Sequence, residues 1–423
     1  MVPPSSIESK HKSETSRRRT HIGQALVFFN VYGVPLSFGP YCEYYYNNNI
    51  SLSKGNGQST TLSLSQISVI PAAQLFGLFL AVLPSGLLYE YRIRRLAIWV
   101  AILGAAGCQG ALLATERVEL HALICGFQSF FLGCLGVVST MCLATHYRNN
   151  VPLVSITCVS TGLIGAKVYT IVAYTYLANK QLKKAQYMNL GILAVSLFLG
   201  GFVIKPNDTY KMLSIVSRPC LSDMWNSKGM PLFITGFWLL YLGLFVWPTY
   251  MVLLISSAPR QTWPGEPTVA LMVTYCIAFI TAAIATSKYF CEGVGPVNTF
   301  IGAAVLAGGC YISPAWMPYL LVVWPSTVVY GAALGPIVVL SVKVLMVFSA
   351  GNKKSRLANV AVVLMMAGVF AAAGVVGAAL LVERFELGFR WALLGTGVCM
   401  VVGGLCMGSA RGIRVGKVWR IVI

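Results

Sequence analysis

Twelve apolar stretches, each about 20 residues long and so matched to a bilayer's hydrocarbon thickness, run through this chain. Nearly every formal charge lies between them. Inside hydrocarbon a backbone must satisfy its own hydrogen bonds, and these stretches lack the strict two-residue alternation of a membrane barrel, so helices are the expected form. The reading is an all-α polytopic membrane protein with spans near residues 22–46, 66–88, 96–114, 121–144, 151–177, 186–204, 230–256, 267–288, 295–312, 317–346, 357–382 and 389–409. A composition of 57% hydrophobic and 10% charged residues agrees with that class.

The net charge of +19 invites comparison with nucleic-acid binders, and its distribution decides against them. With both termini cytoplasmic, 21 of the 31 lysines and arginines fall in inner segments and 8 in outer ones. That asymmetry is the positive-inside pattern for an even number of spans. Basic charge here sets topology and meets anionic lipid; no nucleic-acid partner is expected. The cluster Lys180, Lys183 and Lys184 runs against the pattern.

Residues 1–21 are basic and serine-rich with no apolar stretch, and are expected to be a disordered cytoplasmic tail rather than a cleaved signal. The 12 cysteines are scattered through or beside spans without metal-ligand spacing, and read as small packing residues. The four histidines are dispersed, and no phosphate-cradling loop is present, so neither an enzyme centre nor a metal or other cofactor is expected.

The longest polar interruption, residues 205–229, divides six spans from six. The expected domains are a bundle at 22–204, a cytoplasmic linker at 205–229, a second bundle at 230–410 and a basic tail at 411–423. Phe38-Gly39-Pro40-Tyr41 in the first span and Trp247-Pro248-Thr249-Tyr250 in the seventh lie at similar depth, as parallel repeats of a two-domain transporter would.

The turn after the second span, Gly86-Leu87-Leu88-Tyr89-Glu90-Tyr91-Arg92-Ile93-Arg94-Arg95, resembles the loop signature of the major facilitator superfamily, with Glu90 for the usual aspartate and Ile93 for the usual second glycine. The run from Phe28-Phe29-Asn30-Val31-Tyr32-Gly33 through Ser37-Phe38-Gly39-Pro40-Tyr41, followed by Leu64-Ser65-Gln66-Ile67-Ser68, is similar to fungal members of its monocarboxylate transporter-like family. Glu292-Gly293-Val294-Gly295-Pro296-Val297-Asn298-Thr299 and Gly388-Phe389-Arg390-Trp391-Ala392 resemble that family's second-half loop and last-span start. The resemblance implies twelve helices in two six-helix bundles, alternating access, and a small organic solute as the partner of a monomeric secondary carrier. It also puts Glu90 with Arg92, Arg94 and Arg95 in a gating role, as carboxylate–guanidinium pairs at helix ends can latch one conformation. The chain departs from the family too. Animal members use a lysine in the first span and an aspartate and arginine in the eighth for proton-linked carboxylate binding; here residues 31–42 are neutral, nothing charged lies between Glu266 and Lys288, and Ile284 stands at about the arginine's place.

One cation sits well inside a span. Lys167 is sixteen residues past Val151, roughly 24 Å from the inner end of the fifth span at about 1.5 Å per residue. An ammonium there meets an anion, water or a carboxylate, or else snorkels to the outer headgroups; both readings are open. Aromatic and amide side chains supply the rest of an expected solute site: Asn30, Tyr32, Tyr41, Trp247, Tyr250, Tyr275 and Tyr330. Asn49-Ile50-Ser51 is a glycosylation sequon in the first outer loop. The expected location is the plasma membrane, with an organelle membrane as the alternative.

Overall fold

A computed structural model describes residues 4–47, 62–90, 94–115, 117–146, 151–205, 224–257, 267–286, 293–317, 319–349, 356–385 and 388–415. These form helices α1 (Pro4–Val31), α2 (Gly33–Leu36), α3 (Gly39–Asn47), α4 (Leu64–Leu80), α5 (Val82–Glu90), α6 (Arg94–Leu112), α7 (Val118–Ala144), α8 (Val151–Ala178) and α9 (Leu182–Val203) in the first half. The second half contains α10 (Met230–Leu244), α11 (Val246–Ser257), α12 (Pro267–Ala285), α13 (Pro296–Trp316), α14 (Leu320–Phe348), α15 (Arg356–Arg384) and α16 (Gly388–Val415). Ten helical spans among the described residues are long and apolar enough to cross a membrane. Helices α8, of 28 residues, and α12, of 19, occupy the remaining two predicted positions.

Three of the predicted spans are broken. Proline has no N–H for the carbonyl four residues earlier, so Pro35 and Pro40 leave Val31 and Leu36 without helical donors, and the first span becomes α1, α2 and α3. The second divides at Ala81 into α4 and α5, and the seventh at Phe245 into α10 and α11. One expectation is corrected: the tail expected to be disordered continues α1 down to Pro4. An Arg18–Glu14 pair four residues apart at 3.0 Å lies along it, and the buried Thr20 hydroxyl donates to the Lys205 carbonyl at 3.0 Å.

Helix α1 packs on α7, α8 and α9, and α4 and α6 pack on α7, which makes one group; α10 packs on α15 and α16, and α13 on α14 and α16, which makes the other. The groups meet where α4 lies along α15, α3 along α11, and α8 along α12 and α14. One buried apolar cluster runs across that seam, from Phe38, Ile67 and Leu163 to Val252, Leu254 and Phe279. A second, with Ile102, Leu132, Leu135 and Leu197, belongs to the first bundle alone. Large apolar side chains such as Leu103, Phe127, Phe202 and Leu321 stay exposed on the outside, where they suit lipid rather than water.

Buried cysteines Cys42, Cys125, Cys134 and Cys142 take packing positions, in line with the sequence reading. Close helix contacts depend on missing side chains at particular points. A Cβ on Gly331 would stand 2.6 Å from the Tyr275 carbonyl oxygen, so glycine there lets α14 lie against the backbone of α12.

Candidate functional site

At the seam, three short stripes face one cleft: Leu36, Gly39 and Pro40 from α2 and α3; Leu163, Ala166, Lys167 and Thr170 from α8; Pro248, Met251 and Val252 from α11; Tyr275 of α12 completes the lining. The α8 stripe has the spacing i, i+3, i+4, i+7, which is one face of a helix, and α11 repeats it over i, i+3, i+4. The cleft holds about 400 Å³ counting its open mouth.

Lys167 reaches into this cleft rather than along the span to the headgroups. Its Nζ lies 4.6 Å from the ring centroid of Tyr275, across the seam on the other bundle. Cation–π contact contributes about 2 kcal/mol when desolvated, less than an ammonium forfeits by leaving water, so the contact holds the group without fully satisfying it. No acidic side chain is among the described residues lining the cleft. The Tyr275 hydroxyl is buried and has no hydrogen-bond partner among the described residues. Next to them, the Cys276 thiol points to the Leu163 carbonyl oxygen at 3.8 Å, again across the seam.

Of the other residues expected at a solute site, most are committed to the protein. Asn30 is fully buried inside the first bundle: its amide nitrogen donates to Ser196 Oγ at 2.8 Å and the Leu26 carbonyl at 2.9 Å, and its oxygen accepts from the Tyr169 hydroxyl at 2.6 Å. The Tyr41 hydroxyl accepts from Asn189 Nδ2 at 2.8 Å and so ties α3 to α9. The Tyr32 ring packs beside Phe28, with centroids 5.8 Å apart, and over Gly162. Trp247, 1% exposed, lies against the rings of both Tyr311 and Tyr330, and the Tyr330 hydroxyl donates to the Leu244 carbonyl. The cleft thus gathers Lys167 and Tyr275 and places Asn30, Tyr32, Tyr41, Trp247, Tyr250 and Tyr330 outside its lining. The physical reason is hydrogen-bond demand: in hydrocarbon a polar side chain finds a protein partner, and these found theirs within or between helices.

Tyr250 belongs to the seam. Its hydroxyl is 2.5 Å from Ser68 Oγ on α4 and donates to the Val375 carbonyl on α15 at 2.8 Å. Near the end of the same pair of helices, the Glu383 carboxylate accepts the Ser65 backbone N–H at 2.7 Å. Ser63 already caps α4 reciprocally with Gln66, so Glu383 of the opposite bundle takes a further free amide of that helix end. Sequence reading missed these contacts, and also missed the α8 stripe around Lys167, whose helical spacing was there to be seen.

The expected gating group is only partly visible. Arg94 folds back on its own turn, its guanidinium carbon 4.4 Å above the Tyr89 ring and its Nε donating to the Tyr89 carbonyl at 3.4 Å. Arg95 is exposed. Arg92, the Glu90 side chain and the sequon at Asn49 lie outside the described residues.

Comparison with known proteins bears on the fold. No protein-family model matches the sequence, and no curated protein matches it. Solved structures do. The nucleoside transporter NupG superposes with a TM-score of 0.69 at 14% identity, over 93% of this chain and 98% of that one. A point mutant of the same transporter superposes with a TM-score of 0.71. The human organic anion transporter MFSD10 (TETRAN) superposes with a TM-score of 0.59 at 13% identity, over 96% of this chain and 99% of that one. The chain is a multi-pass α-helical membrane protein with the fold of the major facilitator transporters.

Proposed function

We propose that this protein is a secondary carrier that moves a small organic solute bearing a carboxylate or a similar negative group, by alternating access between its two bundles. One observation carries the reading: Lys167 presents a cation to a cleft at the seam whose lining contains no carboxylate. An ammonium held at membrane depth in a half-buried side chain, with no carboxylate among the described lining, is costly, and an anionic solute is the partner that would relieve it. The apolar remainder of the lining, with Leu36, Leu163, Met251 and Val252, suits an organic body attached to that charge. Supporting this, two proteins of similar known structure are transporters, one of nucleosides and one of organic anions. Neither an enzymatic reaction nor a cofactor enters this reading, and a monomer in lipid, with both termini cytoplasmic and the plasma membrane as its site, suffices for it. The solute would be a specialised metabolite or another carboxylate-bearing compound rather than a short monocarboxylate, since the family's proton-linked ionisable groups are replaced here by neutral ones.

The experiment has two steps. Metabolites inside and outside cells are compared with and without the gene, and the compound that shifts is then supplied in labelled form to vesicles containing the purified protein. Flux of an organic anion that falls on replacement of Lys167 supports the carrier. Shifts confined to short-chain acids would favour monocarboxylate uptake, and binding without flux would favour a transporter-like sensor.

A further inference from the structure

Beyond the carrier reading, the geometry points to Tyr311 and Tyr330 as positioning residues that pin the bend in the seventh span and thereby set one wall of the cleft. Two backbone carbonyls lose their ordinary helical partners at the join of α10 and α11. Pro248 has no N–H to offer the Leu244 carbonyl, and the Tyr330 hydroxyl, from α14, donates to that oxygen instead. One residue earlier, the Trp247 N–H donates to the Tyr311 hydroxyl at 3.0 Å, and that hydroxyl donates in turn to the Gly243 carbonyl at 2.7 Å. A phenol from α13 is thus inserted into what would be the Trp247-to-Gly243 rung of a straight helix.

Both tyrosines are fully buried, so water has no ready access to make these bonds in their place. At membrane depth a broken helix survives only if neighbouring protein groups satisfy the freed backbone, and here two phenols from two helices do so. The rings reinforce one another: Tyr311 and Tyr330 meet nearly edge to face at 5.5 Å, and Trp247 lies against both.

The consequence reaches the cleft by two routes. Pro248, Met251 and Val252, which line it, all follow the bend, and their direction depends on it. Tyr330 also stacks on Tyr275, at 6.4 Å and 15°, and Tyr275 carries the Lys167 ammonium on its ring. The pins therefore hold both the α11 wall and the ring that receives the cation.

The test is a rescue measured by hydrogen exchange on the purified full-length protein. Tyr311→Phe is expected to raise exchange at the Trp247 amide about tenfold, the factor for losing one buried hydrogen bond. Tyr330→Phe is expected to raise exchange of the amides following the bend by a similar factor. Pro248→Ala restores an N–H for the Leu244 carbonyl, so adding it to Tyr330→Phe should return that exchange toward the Pro248→Ala level. A purely packing role for Tyr330 predicts no rescue, and that outcome would overturn the assignment. So would a rise spread evenly over all helices in the Tyr311→Phe protein, which also serves if the Tyr330 variant does not fold.

Discussion

The ammonium of Lys167 and the ring of Tyr275 belong to different bundles and meet at 4.6 Å. A cation held by a π-face is exchangeable: an arriving carboxylate offers it a stronger partner, and taking that partner loosens a contact across the seam. On the carrier reading proposed above, solute recognition and bundle separation would be joined in one pair of side chains.

Lys167→Gln is therefore expected to weaken binding of an anionic solute by tenfold or more, on the order of the contribution of a charged hydrogen bond. Protein folding and insertion should be retained, since glutamine is easier to bury than an ammonium. Flux in vesicles at several solute concentrations measures it. Unchanged affinity and rate would remove Lys167 from the site.

Tyr275 separates two contributions. Tyr275→Phe keeps the π-face and loses only a hydroxyl that has no partner among the described residues, whereas Tyr275→Leu loses the face as well. If the ring is what holds the cation, solute affinity changes less in the phenylalanine variant than in the leucine variant, by a margin of about 1 kcal/mol. A phenylalanine variant as impaired as the leucine one would instead assign the hydroxyl to the solute.

The spans and Lys167 were legible because each signal is local: a long apolar run, or a charge inside one. The cleft was half legible, since the stripe Leu163, Ala166, Lys167, Thr170 is written at helical spacing, but nothing in it names the facing residue Tyr275. The surroundings of Asn30 and Tyr41 are not legible for a different reason. A polar side chain in a membrane helix signals that a hydrogen bond exists, not where it goes, and their partners Ser196, Tyr169 and Asn189 lie more than a hundred residues away. Glu383 and Ser65 are 318 residues apart, so their contact exists only once two bundles have come together. The breaks at Pro40 and Pro248 could be anticipated from missing donors, yet the phenols that repair the second come from other helices.

Asn30 gives a prediction about stability rather than transport. Asn30→Ala removes the acceptor of the buried Tyr169 hydroxyl and the donor to Ser196, at a cost of about 1–3 kcal/mol. A lower thermal midpoint with unchanged solute affinity is the expected result. A changed affinity at unchanged stability would return Asn30 to the solute site.

Tyr250 and Glu383 close the same edge of the seam, and Cys42 reports on it. Cys42 is fully buried on α3, which packs along α11, the helix that carries Tyr250, so a maleimide can reach it only when that edge parts. Tyr250→Phe loses the bond to the Val375 carbonyl and the contact with Ser68, and Glu383→Gln weakens the one to the Ser65 amide by removing its charge. Each change should speed Cys42 labelling severalfold, read by peptide mass spectrometry. Because Glu383 is exposed, its contribution is screened by salt: added salt should speed labelling of the native protein and do little to the Glu383→Gln variant. Equal salt dependence in the two would mean that the carboxylate does not hold the edge, leaving Tyr250 and Ser68 as the closure.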